Sequence, residues 1–291
     1  MNNQSIFSFS YLPLTIHLEC LESTTLPGYL GSALRGALGW ELTKNPQVYS
    51  YLYENRNLQR GKADVVNPYF LNVPRKKLIY QPHETLSFDF VLLGDAAQTG
   101  NRLIASLSKI AILRLGAQRS VFRLKSIVQA SNQTILWSSD RGILQNPESV
   151  LYQASREISC QYCSIQLKTP LRIRRDGELL QEYDFATLIR NITQRIKAIA
   201  NNYGGSIDSR AAERICQQAL HVNRFSSQLY YKELKRYSNK QITSLDISGM
   251  LGTMSAEGDL TAFVPWLLAA ELIHIGRNTT FGLGEISLVI D

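Results

Sequence analysis

No stretch of this 291-residue chain approaches the roughly 20 consecutive apolar residues of a membrane-spanning helix, so no membrane partner is expected. The opening Met-Asn-Asn-Gln-Ser has neither the basic start nor the apolar run of a secretory signal. Cysteine is scarce: of Cys20, Cys160, Cys163 and Cys216, only the pair in Cys160-Gln-Tyr-Cys163 is closely spaced. Zinc would need further ligands at matching spacing, and this pair sits in a strand-like run, Ile158 to Leu167, so both thiols read as structural. No metal and no cofactor is expected, and a reduced, cytoplasmic protein follows as the default. Acidic residues are in deficit, 24 against 31 Lys+Arg, which sets the net charge at +7 and the pI near 9.2. That balance favours polyanionic partners through counterion release and electrostatic steering.

What is present is enough apolar material, 44% of residues, for more than one core, and the length predicts about two domains. The polar stretch Ser138 to Ser149, holding Gly142 and Pro147, puts the boundary near residue 150 and the domains at 1–150 and 151–291. Phe7 to Leu21 alternates apolar and polar residues as a half-buried strand does. After Leu26-Pro27-Gly28, apolar residues at Leu30, Leu34, Leu38 and Leu42 predict a helix over Tyr29 to Lys44. Gly31, Gly36 and Gly39 inside it imply close approach of another backbone, since each disfavours helix by roughly 1 kcal/mol against alanine. Asn45 to Glu84 reads as irregular, Leu86 to Leu93 as a strand, Leu103 to Leu115 as a helix and Val121 to Val128 as a strand leading into a hairpin at Leu136 and Trp137.

The pattern then restarts. A strand is expected over Ile158 to Ile173, helices over Asp184 to Asn202 and Arg210 to Leu220, and strands over His221 to Arg236 and Ile242 to Met254. A helix over Leu260 to His274 and a strand over Phe281 to Ile290 close the chain. Each half thus reads strand–helix–strand–strand–helix–strand, and the expected class is α+β with two tandem ferredoxin-like (RRM-like) domains.

The run His274-Ile-Gly276-Arg277-Asn-Thr279-Thr-Phe-Gly282-Leu-Gly284 lies between the last helix and strand. Glycine allows amides to reach a phosphate without a Cβ in the way, and arginine supplies charge and a forked donor. A helix C-cap at Gly276 followed by a tight turn is the alternative reading. Arg172, Arg174 and Arg175 form a second basic run, and Arg236-Tyr237-Ser-Asn-Lys240 mixes charge with an aromatic ring able to stack on a base.

Four stretches in this order resemble the CRISPR precursor-RNA processing endoribonucleases of the RAMP superfamily, the sixth CRISPR-associated protein family. They are Leu26-Pro-Gly-Tyr-Leu-Gly-Ser-Ala-Leu-Arg-Gly-Ala-Leu-Gly39; Leu86 to Gly94 with Gln118 to Lys125; Thr169-Pro-Leu-Arg-Ile-Arg-Arg-Asp-Gly177; and Arg236 to Gln241 with Gly249 to Gly252 leading into the terminal run. The resemblance implies binding of the stem-loop of a CRISPR repeat and metal-independent cleavage on its 3′ side by the RNA's own 2′-hydroxyl. It also implies retention of the crRNA 3′ stem-loop and partnership with other subunits of a crRNA-guided effector complex.

Such chemistry needs a base, an acid and positive charge on the phosphorane. Where relatives place a histidine near the end of the first helix, this chain has Trp40 and Lys44. The catalytic candidates are therefore His274, at a helix end beside the glycine loop, Lys44, and His17 in the first strand. His83 and His221 read as structural. The RNA-contact candidates are Arg35, Arg172, Arg174, Arg175, Arg236, Tyr237, Lys240, Gly276, Arg277, Thr279, Gly282 and Gly284. The missing histidine keeps open a rival reading, a non-catalytic subunit that caps or scaffolds guide RNA.

Overall fold

The computed structural model describes residues 5–54, 66–75, 77–154, 158–238 and 243–291. The chain forms two compact units, Phe9–Leu151 with Asn202–Gly204, and Met1–Ser8 with Tyr152–Asn201 and Gly205–Asp291.

The first unit runs β1 (Phe7–Cys20), α1 (Gly31–Leu42), β2 (Tyr69–Asn72), β3 (Thr85–Leu93), α2 (Gly100–Leu107), β4 (Ser120–Gln129) and β5 (Thr134–Ser138). Its strands pair antiparallel in the order β2-β3-β1-β4-β5. The first of them thus sits between the third and fourth of a ferredoxin-like set. Alternation along β1 explains its two faces: Leu12, Leu14, Ile16 and Leu18 are buried, while Thr15 and His17 point to the other side. Leu34, Leu38 and Leu42, one helical turn apart, bring α1 onto the same core as Phe90 and Ile104.

Three expectations change here. The helix read over Leu103 to Leu115 ends at Leu107, and Leu113–Leu115 is a strand paired with β4. Leu113 and Leu115 are buried and Arg114 between them is exposed, a period of two that competes with the helical spacing. The stretch read as irregular holds β2, where Tyr69, Phe70 and Leu71 are all buried, so no alternation announces it. Within α1, a Cβ on Gly39 would come within 2.7 Å of the Tyr53 ring, so a side chain and not a backbone meets the helix there, whereas Gly36 faces open space.

The second unit runs β6 (Tyr162–Leu171), α3 (Phe185–Tyr203), β7 (Arg224–Lys232), β8 (Gly249–Glu257), α4 (Val264–Ile273) and β9 (Ile286–Ile290). Its antiparallel order, β7-β8-β6-β9, repeats the first unit's β2-β3-β1-β4. Leu188, Ile189, Ile192, Ile196 and Ile199 form the fully buried stripe of α3. Asp208 caps the additional helix Ser209–Ala219 by accepting from the amides of Arg210 and Ala211. The strand expected over His221 to Arg236 is two elements, β7 and Lys235–Ser238, the latter paired with Thr243–Asp246. The strand expected from Phe281 begins at Ile286, because Thr279–Phe281 is a 3-10 turn.

Cys160 and Cys163 are buried free thiols, and burial pushes Cys163 up to about 11. Among the described residues no helix is long and apolar enough to cross a membrane.

Candidate functional site

The glycine-rich run of the second unit is a clasp made from the chain's own backbone. Beyond α4, Ile275 N–H donates to Gly284 O at 2.9 Å, and Gly284 N–H donates to Pro170 O at 3.2 Å. Gly276 N–H donates to Asn191 Oδ1 at 2.8 Å, and Arg277 N–H to Arg172 O at 2.9 Å. Gly282 N–H closes the turn onto Thr279 O at 2.8 Å. Amides drawn away from water need partners, and the protein supplies them. The amides of Gly276, Gly282 and Gly284, expected to face a phosphate, are here bonded within the protein, and Gly276 and Gly284 sit at close backbone approaches. Gly276 and Gly284 have φ of 75° and 74°. A Cβ on the first would meet Arg172 O at 2.6 Å, and one on the second would run into Ile275 O.

His274 ends α4 with φ 57° and ψ 159°, a backbone region that non-glycine residues rarely adopt. Its ring is buried, with Nδ1 3.2 Å from Leu283 O, so the imidazole faces the fold rather than solvent. Next to it Arg195 grips Ile273 O through Nε and Nη2 at 3.1 and 2.8 Å, satisfying a carbonyl at the helix end. Thr279 is buried as well.

The three arginines after β6 divide. Arg172 is buried and donates through Nη1 to Ser248 O, with Asp246 3.8 Å away. Burial lowers its pKa, Asp246 raises it, and the neighbouring charges of Arg174 and Arg277 lower it again. Arg175 donates to Thr187 Oγ1 at 2.8 Å. Arg174 is exposed at the base of a hairpin whose turn residues, Asp176 and Gly177, have positive φ. The clasp thus draws Arg277, Arg172 and Arg174 to one place. Arg236 and Tyr237 lie on Lys235–Ser238; Lys240 lies outside the described residues.

In the first unit the candidates separate. Arg35 lies over the Tyr53 ring, 4.8 Å from its centroid, and the Tyr53 hydroxyl donates to Arg35 O at 3.2 Å. Lys44, beyond α1, is exposed and ion-paired with Glu41 at 2.5 Å. His17 sits on the polar face of β1 with Nδ1 2.7 Å from Ser87 Oγ. Burial lowers its pKa, Asp89 raises it and Lys125 lowers it.

Sequence reasoning passed over a neighbouring group on the same face. His83 Nδ1 is 2.8 Å from Glu19 Oε1, and Arg123 Nη2 is 2.8 Å from Glu19 Oε2. The available signal was Pro82-His83 in a turn position that favours glycine.

Residues 165–286 match the family model of the CRISPR-associated endoribonuclease Cas6, and residues 9–150 match a model described as an N-terminal domain. No curated protein matches. Among solved structures, a partial Cas6-RT-Cas1–Cas2 complex aligns with a TM-score of 0.63 and 14% identity over 100% of this chain, which spans 47% of that chain's length. A Cas6 product complex gives 0.63 at 13% identity, covering 96% of this chain and 99% of the other. A Thermus thermophilus Cas6 gives 0.57 at 13% with the same coverage. These structural likenesses bear on the fold, two ferredoxin-like units.

Proposed function

We propose that this chain, whose residues 165–286 match the model of the CRISPR-associated endoribonuclease Cas6, cuts CRISPR precursor RNA without a metal and keeps the 3′ stem-loop of its product. The single observation carrying the RNA side of this reading is the clasp that sets Arg277 beside Arg172 and the exposed Arg174. Of these, the exposed Arg174 and the half-buried Arg277 are placed to meet phosphate oxygens with forked donors and fix register on a nucleic-acid backbone, while Arg172 is held inward on Ser248 O. The cut is an attack of the adjacent 2′-hydroxyl on phosphorus, which leaves a 2′,3′-cyclic phosphate and a 5′-hydroxyl. The retained product makes the protein a subunit of a crRNA-guided effector complex.

Two observations favour the rival, a subunit that holds guide RNA without cutting it: the His274 ring is buried and Lys44 is ion-paired. Incubation with its repeat RNA in EDTA separates the two. A single cut bearing a cyclic phosphate supports processing; tight binding with the RNA left whole at long times supports the scaffold.

A further inference from the structure

We infer that His83, oriented by Glu19, is a proton-transfer residue for cleavage of an RNA phosphodiester on the first unit, an inference that rests on the cleavage reading above. The turn Gln81 to Glu84 is closed by Glu84 N–H on Gln81 O at 3.1 Å, with Pro82 and His83 as its central residues. His83 has φ 71°, the positive value that a type II turn requires at its third position, where glycine or asparagine is favoured. A histidine held there carries backbone strain, and such strain gathers at functional sites. The turn is fixed against β1 at both sides, His83 N–H on Cys20 O and Cys20 N–H on Glu84 O, each 2.8 Å.

The fixed backbone delivers the ring to a carboxylate that is itself immobilised. Glu19 is buried at 7% exposure, yet it holds two partners. Oε1 meets His83 Nδ1 at 2.8 Å, and Oε2 accepts from Arg123 Nε at 2.9 Å and Nη2 at 2.8 Å. His83 and then Arg123 hold the Glu19 pKa below the usual carboxylate range, so the group is ionised and has only acceptors to offer. The nitrogen that faces Glu19, Nδ1, therefore carries a proton, and Nε2 is the nitrogen turned away from the carboxylate. The His83 side chain is 85% exposed, so Nε2 is open to a ligand. A carboxylate that fixes an imidazole tautomer while the far nitrogen faces outward is the geometry of an acid–base catalyst. An exposed surface ion pair would need neither the strained turn nor the buried carboxylate.

The surroundings suit a phosphodiester. Arg123 is 54% exposed at its side chain, so the guanidinium that grips Glu19 also sets positive charge at the surface. The charged groups about His83 are Glu19 on β1, Arg123 on β4, and Glu84, which pairs with Lys77 at 2.7 Å on the turn itself. As the 2′-oxygen bonds to phosphorus, its proton passes to Nε2. The bond from phosphorus to the 5′-oxygen breaks, and that oxygen takes a proton from water. The hydroxide so formed removes the proton from the imidazolium, and the protein is regenerated.

The test uses the full chain and labelled repeat RNA in single-turnover cleavage. His83→Asn keeps the turn, since asparagine tolerates positive φ, and keeps a donor toward Glu19, but it removes the base. Cleavage should slow about 100-fold or more while RNA affinity stays within about twofold. Glu19→Gln should slow the single-turnover cleavage step about 10-fold or more while RNA affinity stays within about twofold, a split that loss of packing alone does not produce. A wild-type protein that cuts while His83→Asn keeps within about threefold overturns the role of His83 alone. A wild-type protein that leaves repeat RNA whole overturns the cleavage reading and this role with it.

Discussion

The main-chain N–H of Arg277 donates to the carbonyl oxygen of Arg172 across 2.9 Å, and this one bond sorts the two arginines by duty. Arg172 turns inward to Ser248 O and is buried, while the Arg277 side chain is half-buried. Arg277→Ala leaves the backbone bond in place. It should weaken repeat-RNA binding and reduce the log–log salt slope by about one unit. Arg172→Ala leaves Ser248 O without its donor and should lower unfolding free energy by about 1–3 kcal/mol. Salt titrations of affinity and urea unfolding of both variants check the division; an unchanged slope for Arg277→Ala removes it from the phosphate contacts.

Two glycines should respond to alanine in opposite directions. Gly284 has φ 74°, and a Cβ there runs into Ile275 O, so Gly284→Ala should destabilise by more than the roughly 1–2 kcal/mol of the left-handed region alone. Gly36 lies inside α1 with open space where a Cβ would go. Gly36→Ala should stabilise by about 0.5–1 kcal/mol through helix propensity. Chemical denaturation midpoints of the two variants measure both signs.

The elements with a regular apolar period were legible in the sequence. Leu12, Leu14, Ile16 and Leu18 announced β1, and the stripe from Leu188 to Ile199 announced α3. β2 was not, because Tyr69, Phe70 and Leu71 are buried on both faces and the period of two vanishes. The glycine run was visible, but not its partner: the surface that Gly276 approaches is Arg172 O, reached only after folding. The Glu19 group is harder still, since Glu19 and His83 are 64 positions apart and Glu19 and Arg123 are 104. Local pattern carries no trace of such pairings.

Thiol chemistry should separate one cysteine from the other three. Cys20, Cys160 and Cys163 are buried, and burial raises all three thiols, Cys163 to about 11. Cys216 is only partly covered. The thiolate is the reacting form, so N-ethylmaleimide at neutral pH should label Cys216 in the native protein and the others only after unfolding. Mass spectrometry of a timed labelling series reads the order; early label on Cys163 would contradict its burial.

Glu19 ties stability to pH with a definite sign. Its folded pKa lies below the ordinary carboxylate value, through the His83 bond first and the Arg123 bond second. Below the folded pKa both states bind the proton and the contribution is gone; above the unfolded value, near about 4.3, both are ionised and it is complete. Between the two, the unfolded chain binds the proton that the folded carboxylate refuses, so stability rises with pH. Glu19→Gln should therefore unfold more easily than wild type at neutral pH, and the gap should narrow as pH falls below the ordinary carboxylate range. His83→Ala should remove only part of the gap, because Arg123 still holds the other oxygen. Urea midpoints of the three proteins from pH 7 downward measure this, and a gap that stays constant with pH would show that Glu19 stabilises the fold by packing and not by charge.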